Sequence, residues 1–173
     1  DLGPHLIDQV VQLFGMPQQV SADIRILRDG GESDDAFEVT LHYAAITVKV
    51  GSSPFEAGPT LRYALQGTKG SYRKYHLDPQ EDQLKAGMSF NAPGWSVAPA
   101  PQHGTLYLED ESKPVATLNG GYTTFYRQLA TALITNNAEA LPASGQSVVA
   151  VIRLIELARL ASEQQQTLSV ECI

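Results

Sequence analysis

Three ionisable side chains stand close together at the start of the sequence: Asp1, His5 and Asp8. Histidine passes a proton near neutral pH most readily, and a carboxylate beside it can orient the ring and stabilise its cation. The spacing brings these groups together only on a helix, where residues three and four apart are neighbours. The surrounding residues predict that helix. Leu6, Ile7, Val10, Val11, Leu13 and Phe14 recur at helical spacing. Pro4 suits a first turn, where its missing N–H is not needed. Gly15-Met16-Pro17 is a stop signal. Spacing alone leaves a second reading open, in which the acids complement the helix N-terminus and His5 is an incidental surface residue.

Other chemistries find less support. A metal site could draw two or three ligands from His5, Asp1 and Asp8, but His42, His76 and His103 form no ligand pattern with them. No Ser or Cys sits in a nucleophile elbow, and there is no phosphate loop or GxGxxG. Gly120-Gly121 before a helix could take an anion at the helix N-terminus, although a simple turn also explains it. The aromatic residues carry more. Tyr122 and Tyr126 are four apart and share a helix face. Trp95, the single tryptophan, lies in a Pro- and Gly-rich loop over residues 88–103, long enough to act as a lid or binding loop. Lys74 stands between Tyr72 and Tyr75. A rim of this kind, aromatic and rich in hydroxyls, would suit a polyol or sugar. Core packing explains Tyr43, Tyr63 and Tyr107 equally well.

These side chains must be held by a chain of 173 residues, 43% hydrophobic and 18% charged, which is a globular composition and one domain, 1–173. The formal net charge of -7, with no Lys/Arg cluster, argues against nucleic acid or an anionic membrane as partner. No apolar run approaches the roughly 20 residues needed to span a bilayer. Cys172 is the one cysteine, so neither a disulfide framework nor a Cys-based metal site forms within the chain; we read it as a strand-end residue without a role. A reducing, cytoplasmic location is expected. The chain opens directly on a helix without a Met start, which suggests a piece of a longer protein.

Strands with clean period-two alternation are expected over residues 19–28, 36–43, 46–50, 61–66 and 71–75, with further strands over 104–110 and 114–118. Antiparallel sheets with one covered face show such alternation. Asp78-Pro79-Gln80-Glu81 predicts a short helix with Asp78 as cap and Glu81 bonding back to it, ended at Gly87. A helix from Tyr122 to about Asn136 follows, then one capped by Ser144 and running to about Ser162. That last helix is apolar nearly all round and is expected to be the most buried. The fold class is α+β: an open, largely antiparallel (mixed) sheet with helices on one face. Its other face carries Thr, Lys, Glu, Arg and Gln and is either wet or set against a polar interface.

The phrase Asp1-Leu-Gly-Pro-His5-Leu-Ile-Asp8, followed by an apolar helix ending Leu-Phe-Gly-Met-Pro, resembles the start of the C-terminal domain of the glucose–fructose oxidoreductase/inositol dehydrogenase/rhizopine catabolism family. The likeness continues through Leu41-His-Tyr43, Gly67-Thr-Lys-Gly-Ser71, Asp78-Pro-Gln-Glu-Asp82, Asn119-Gly-Gly-Tyr-Thr-Thr-Phe-Tyr126 and Val151-Ile-Arg-Leu-Ile-Glu156, and so covers nearly the whole chain. It is strongest toward the branch containing NADP-dependent scyllo-inositol dehydrogenases. The resemblance implies a parent oxidoreductase that moves hydride between a polyol or sugar hydroxyl and NAD or NADP. It implies an N-terminal dinucleotide-binding domain, absent here, whose Glu-Lys-Pro lysine works with Asp1 and His5. His5 would take the hydroxyl proton and Asp1 would position it; Asp8 would orient the helix or His5. Tyr126 would fall, by a looser match, near a substrate-lining aromatic position; Tyr122, Trp95 and Lys74 are substrate candidates from the rim alone. This chain alone would bind no cofactor and turn nothing over. The sheet's free face would make a homodimer or higher homo-oligomer. The rival expectation is a non-enzymatic oligomerisation or small-ligand-binding module that kept the fold.

Overall fold

The computed structural model describes residues 2–170; Asp1 and Cys172 lie outside the described residues. The chain forms two compact units, one from residues 2–56 and 143–170, the other from residues 57–142.

In the first unit, α1 (Leu2–Phe14) leads into three strands, β1 (Gln19–Arg25), β2 (Ala36–His42) and β3 (Thr47–Ser52). The unit closes with a long helix (Gly145–Gln164) and a two-residue strand, Leu168–Ser169. That short strand pairs with β1, so the sheet runs β3, β2, β1 and then the closing strand, all antiparallel. Register explains the core. Val20 faces Leu41, Ala22 faces Val39, and Val48 and Val50 continue the two rows on β3. These residues share one face because side chains alternate along a strand. Ile7 and Val10 of α1, with Val151, Leu154 and Ala158 of the long helix, fill the space above them. The opposite face is polar. Asp23 pairs with Arg25, Lys49 with Glu38 at 3.0 Å, and Ser21 Oγ lies 3.2 Å from His42 Nε2.

The long helix departs from expectation. Only the stripe Val151, Leu154, Ala158 and Ala161 is buried, while Val148, Val149, Ile152 and Leu160 are exposed. One sheet layer covers one stripe of a helix, and apolar sequence on the remaining faces does not create a second layer. Its cap is as expected: the Ser147 N–H donates to Ser144 Oγ at 3.1 Å.

The second unit holds β4 (Leu61–Gly67), β5 (Gly70–Tyr75), α2 (Gln80–Lys85), β6 (Gly104–Tyr107), β7 (Ser112–Val115) and α3 (Tyr122–Thr135). With these defined, the long helix of the first unit is α4 and its short strand is β8. The second sheet is ordered β4-β5-β6-β7, again antiparallel throughout. The α+β class and the open antiparallel sheet hold, but the strands are shared between two sheets and no parallel pair occurs among the described residues. On β4 the alternating face stays open: Leu61, Tyr63 and Leu65 are all exposed. The capping box at α2 is also revised. α2 starts one residue later than expected, with Pro79 in the N-cap position and no side chain capping it; Asp78 Oδ1 instead accepts the Gln80 N–H at 2.9 Å in a local turn. Glu81 does not reach back; it pairs with Lys85 one turn on, at 2.7 Å.

Candidate functional site

His5 lies on the first turn of α1 and is exposed, while Ile7, two residues on, is 2% exposed. Two steps of a helix turn a side chain to the opposite side. Burial of Ile7 and Val10 therefore holds the imidazole away from the core. The far end of the helix is pinned as well. Gly15 takes φ +74°, a left-handed conformation that ends the helix with little steric cost. The Tyr43 hydroxyl donates to the Gly15 carbonyl at 2.9 Å, and its ring meets Phe14 edge-on at 6.1 Å. Burial pushes the Tyr43 phenol above its ordinary pKa, so it remains a donor there. The first helix is thus a rigid support for one exposed imidazole. Asp8 is half-buried on the same helix. Among the described residues no cluster of three His, Cys, Asp or Glu side chains could hold a metal ion.

The second unit places the other candidates on three segments. Lys74 lies on β5 with 8% exposure. Its ammonium donates to the Gln102 carbonyl at 2.7 Å and to Thr117 Oγ1 at 3.1 Å. It therefore ties the short 3-10 turn Ala100–Gln102 to the segment after β7. Trp95 is half-buried in the loop after α2, and its indole N–H is shielded from water without an acceptor. That loop is held rather than free. The Gln83 amide donates to the Gly94 carbonyl at 3.1 Å and accepts the Ser96 N–H at 2.8 Å. Tyr122 and Tyr126 are exposed on the first two turns of α3, and Phe125 meets Tyr126 edge-on at 5.5 Å. Tyr122, Phe125 and Tyr126 form an uncovered aromatic face at spacing of three and four.

Sequence reasoning missed the groups that hold these segments, Gln80 and Gln83. Gln80 is 2% exposed. Its Nε2–H donates to Asp78 Oδ1 at 2.8 Å and its Oε1 accepts the Tyr122 N–H at 3.0 Å. The available signal was two glutamines three apart on a six-residue helix, both facing one side. A cleft of about 480 Å³ beside α2 was also missed; His76, Asp82, Gln83, Met88, Val97 and Gln102 are among its walls. His76 carries φ +67°, which turns the chain from β5 toward α2.

A dinucleotide needs a glycine-rich turn whose backbone N–H groups face open space. Gly120-Gly121 before α3 does not provide one. A Cβ on Gly120 would lie 2.1 Å from both Asp78 Oδ2 and Gln80 Nε2. The space is filled, and by a carboxylate that would repel a pyrophosphate. Gly120-Gly121 is therefore a packed turn and not a phosphate cradle.

Comparison with known proteins supports the family and the fold. The family model described as "Oxidoreductase family, C-terminal alpha/beta domain" matches residues 1–171. The chain is 34% identical over 99% of its length to the scyllo-inositol 2-dehydrogenase (NADP(+)) IolW of Bacillus subtilis, of which it covers 48%. It is 34% identical over 97% of its length to the uncharacterised oxidoreductase YdgJ of Escherichia coli, covering 49%. Among solved structures, the oxidoreductase YvaA of Bacillus subtilis superposes with a TM-score of 0.91 at 32% identity, over 99% of this chain and 50% of that one. The chain thus spans about half the length of the relatives it matches.

Proposed function

The chain belongs to the glucose–fructose oxidoreductase/inositol dehydrogenase/rhizopine catabolism family of oxidoreductases as its C-terminal alpha/beta domain, and from that premise we propose that it is the substrate-binding and dimerisation domain of an NAD(P)-dependent polyol or sugar dehydrogenase. The nicotinamide would take the hydride, and a dinucleotide-binding domain preceding Asp1 would hold it. The work left to this chain is to bind the polyol, orient the hydroxyl and accept its proton. His5 is the proton acceptor and Asp1 positions it. The observation that carries the reading is the exposed imidazole of His5 on the first turn of a helix whose buried Ile7 and Val10 hold it to the core and whose C-terminal end is fixed by the Tyr43 hydroxyl. A general base must hold one geometry to within tenths of an ångström, and a rigid scaffold supplies that.

Tyr126 and Tyr122 present ring faces and hydroxyls to the substrate, as sugar-binding surfaces require. Trp95 and Lys74 would line the substrate only after a rearrangement, since the indole N–H is shielded from water and the Lys74 ammonium is buried on Gln102 and Thr117. The polar outer face of the first sheet, with its Asp23–Arg25 and Glu38–Lys49 pairs, supports a homodimer formed through that face. No helix among the described residues is long and apolar enough to cross a membrane.

The test uses the full-length protein with NAD and NADP against scyllo-inositol, other inositols and simple sugars. Cofactor reduction with at least one polyol is expected. No turnover on any of them, with cofactor bound, would leave the binding-module reading in its place.

A further inference from the structure

We propose that Gln80 is a positioning residue for polyol binding: its buried amide, oriented by Asp78, holds the first turn of α3 and with it Tyr122 and Tyr126. The inference rests on the substrate reading of α3 above. Three observations meet at this point. Gln80 is nearly solvent-free at 2% exposure, on a helix of only six residues. Its side chain bridges the start of α2 to the start of α3, 42 residues apart in sequence. And α3 has no capping side chain of its own: its N-cap is Gly121, which has none to offer. The Gln80 carbonyl does that work from another element, accepting the Tyr122 N–H at 3.0 Å.

Asp78 decides which way the amide points. An ionised carboxylate only accepts, so the Gln80 NH2 must turn toward Asp78 Oδ1, at 2.8 Å. The carbonyl is then left facing Tyr122. The same Oδ1 accepts the Gln80 backbone N–H at 2.9 Å, which fixes the carboxylate itself. Gly120 completes the contact, because its missing Cβ is what admits Asp78 and Gln80 so close to the backbone. The sequence Asp78-Pro79-Gln80 and the sequence Gly120-Gly121-Tyr122 are two halves of one latch. Tyr126 lies one turn beyond Tyr122, so a change in where α3 begins moves both rings together.

The full-length enzyme tests this, with KM and kcat measured for scyllo-inositol, or for whichever inositol it turns over, and KM for the cofactor. Gln80→Met keeps the side-chain volume and removes both hydrogen bonds. It is expected to raise the polyol KM tenfold or more, with kcat and the cofactor KM within threefold. Gln80→Glu, which sets a second carboxylate against Asp78, is expected to do the same. An unchanged polyol KM in folded Gln80→Met overturns the inference. So does a loss of kcat and of both affinities together, which is what a merely structural role would give. Gly120→Ala drives a methyl into the same contact from the other side and is read the same way where Gln80→Met does not fold. Tyr126→Ala run in parallel separates the failures. If it leaves the polyol KM unchanged, the substrate reading of α3 fails. If it raises KM while Gln80→Met does not, only the latch fails.

Discussion

The two units of this chain are stabilised by different physics. The first buries an apolar cluster in which Ile7, Val20, Leu41 and Leu154 are each at most 2% exposed. The second has only Ala98 and Ala132 as buried hydrophobic residues among those described, beside buried Lys74, Gln80 and Ser96. Burial is non-directional and scales with area, so it tolerates small shifts. A buried hydrogen bond is directional, and an unmade one costs its full desolvation. The first unit is therefore suited to hold a helix rigidly by its greasy side. The second fixes loops and a helix start at chosen points, which is what a surface that recognises hydroxyl groups needs.

The contrast can be broken by substitution. Leu154→Ala in the first unit should destabilise the protein by about 2–5 kcal/mol, the range for a fully buried leucine. A cost under about 1 kcal/mol in thermal or urea unfolding would mean the apolar cluster is not what holds that unit. Gly104→Ala probes the second. A Cβ there would lie 2.0 Å from the Tyr72 hydroxyl, whose ring occupies the space beside β6. Overpacking of this kind costs about 1–3 kcal/mol, and Tyr72→Ala in the same background, which removes the ring carbons at 2.2 and 2.4 Å as well as the hydroxyl, should relieve the clash. Lys74→Met should cost about 1–3 kcal/mol through the unpaired Gln102 carbonyl and Thr117 hydroxyl. A stabilised Lys74→Met protein would instead mean the buried ammonium is there for binding and not for the fold.

The smallest effect concerns pH. Asp35 accepts the Leu27 N–H at 2.7 Å and the Arg28 N–H at 3.1 Å. These bonds, with the Leu27 N–H contributing most, hold its carboxyl below the ordinary range. A carboxylate depressed in the folded state stabilises it above its unfolded pKa, and that gain is lost as pH falls through the folded value. The β1–β2 turn should therefore loosen only below the usual carboxylate range. Asp35→Asn should remove the acid dependence of amide exchange at Leu27 and Arg28; exchange that still responds to acid in that range would assign it elsewhere.

The same division explains how much could be read in the sequence. The helix from Leu2 to Phe14 and the alternation of Val20, Val39 and Leu41 are signatures of apolar periodicity, and the first unit follows them almost residue by residue. The exposed His5 follows too, since it lies opposite Ile7. The latch was not legible, because a glutamine bonding 42 residues away leaves no periodic trace. Asp78-Pro-Gln-Glu did announce a helix start, but the local capping rule assigned the wrong side chain: Glu81 turned to Lys85 and Gln80 reached α3. Periodicity likewise could not show that Val148, Val149 and Ile152 stay exposed on α4, since it marks what is apolar and not what covers it.

The central claim is that His5 takes the substrate proton. It is tested most directly by His5→Ala in the full-length protein, with single-turnover reduction of the cofactor by polyol and cofactor affinity measured side by side. The account predicts a loss of two or more orders of magnitude in the rate, the scale of general-base catalysis (about 10²–10⁴-fold), with cofactor affinity unchanged. A rate within threefold of the unaltered protein would contradict it.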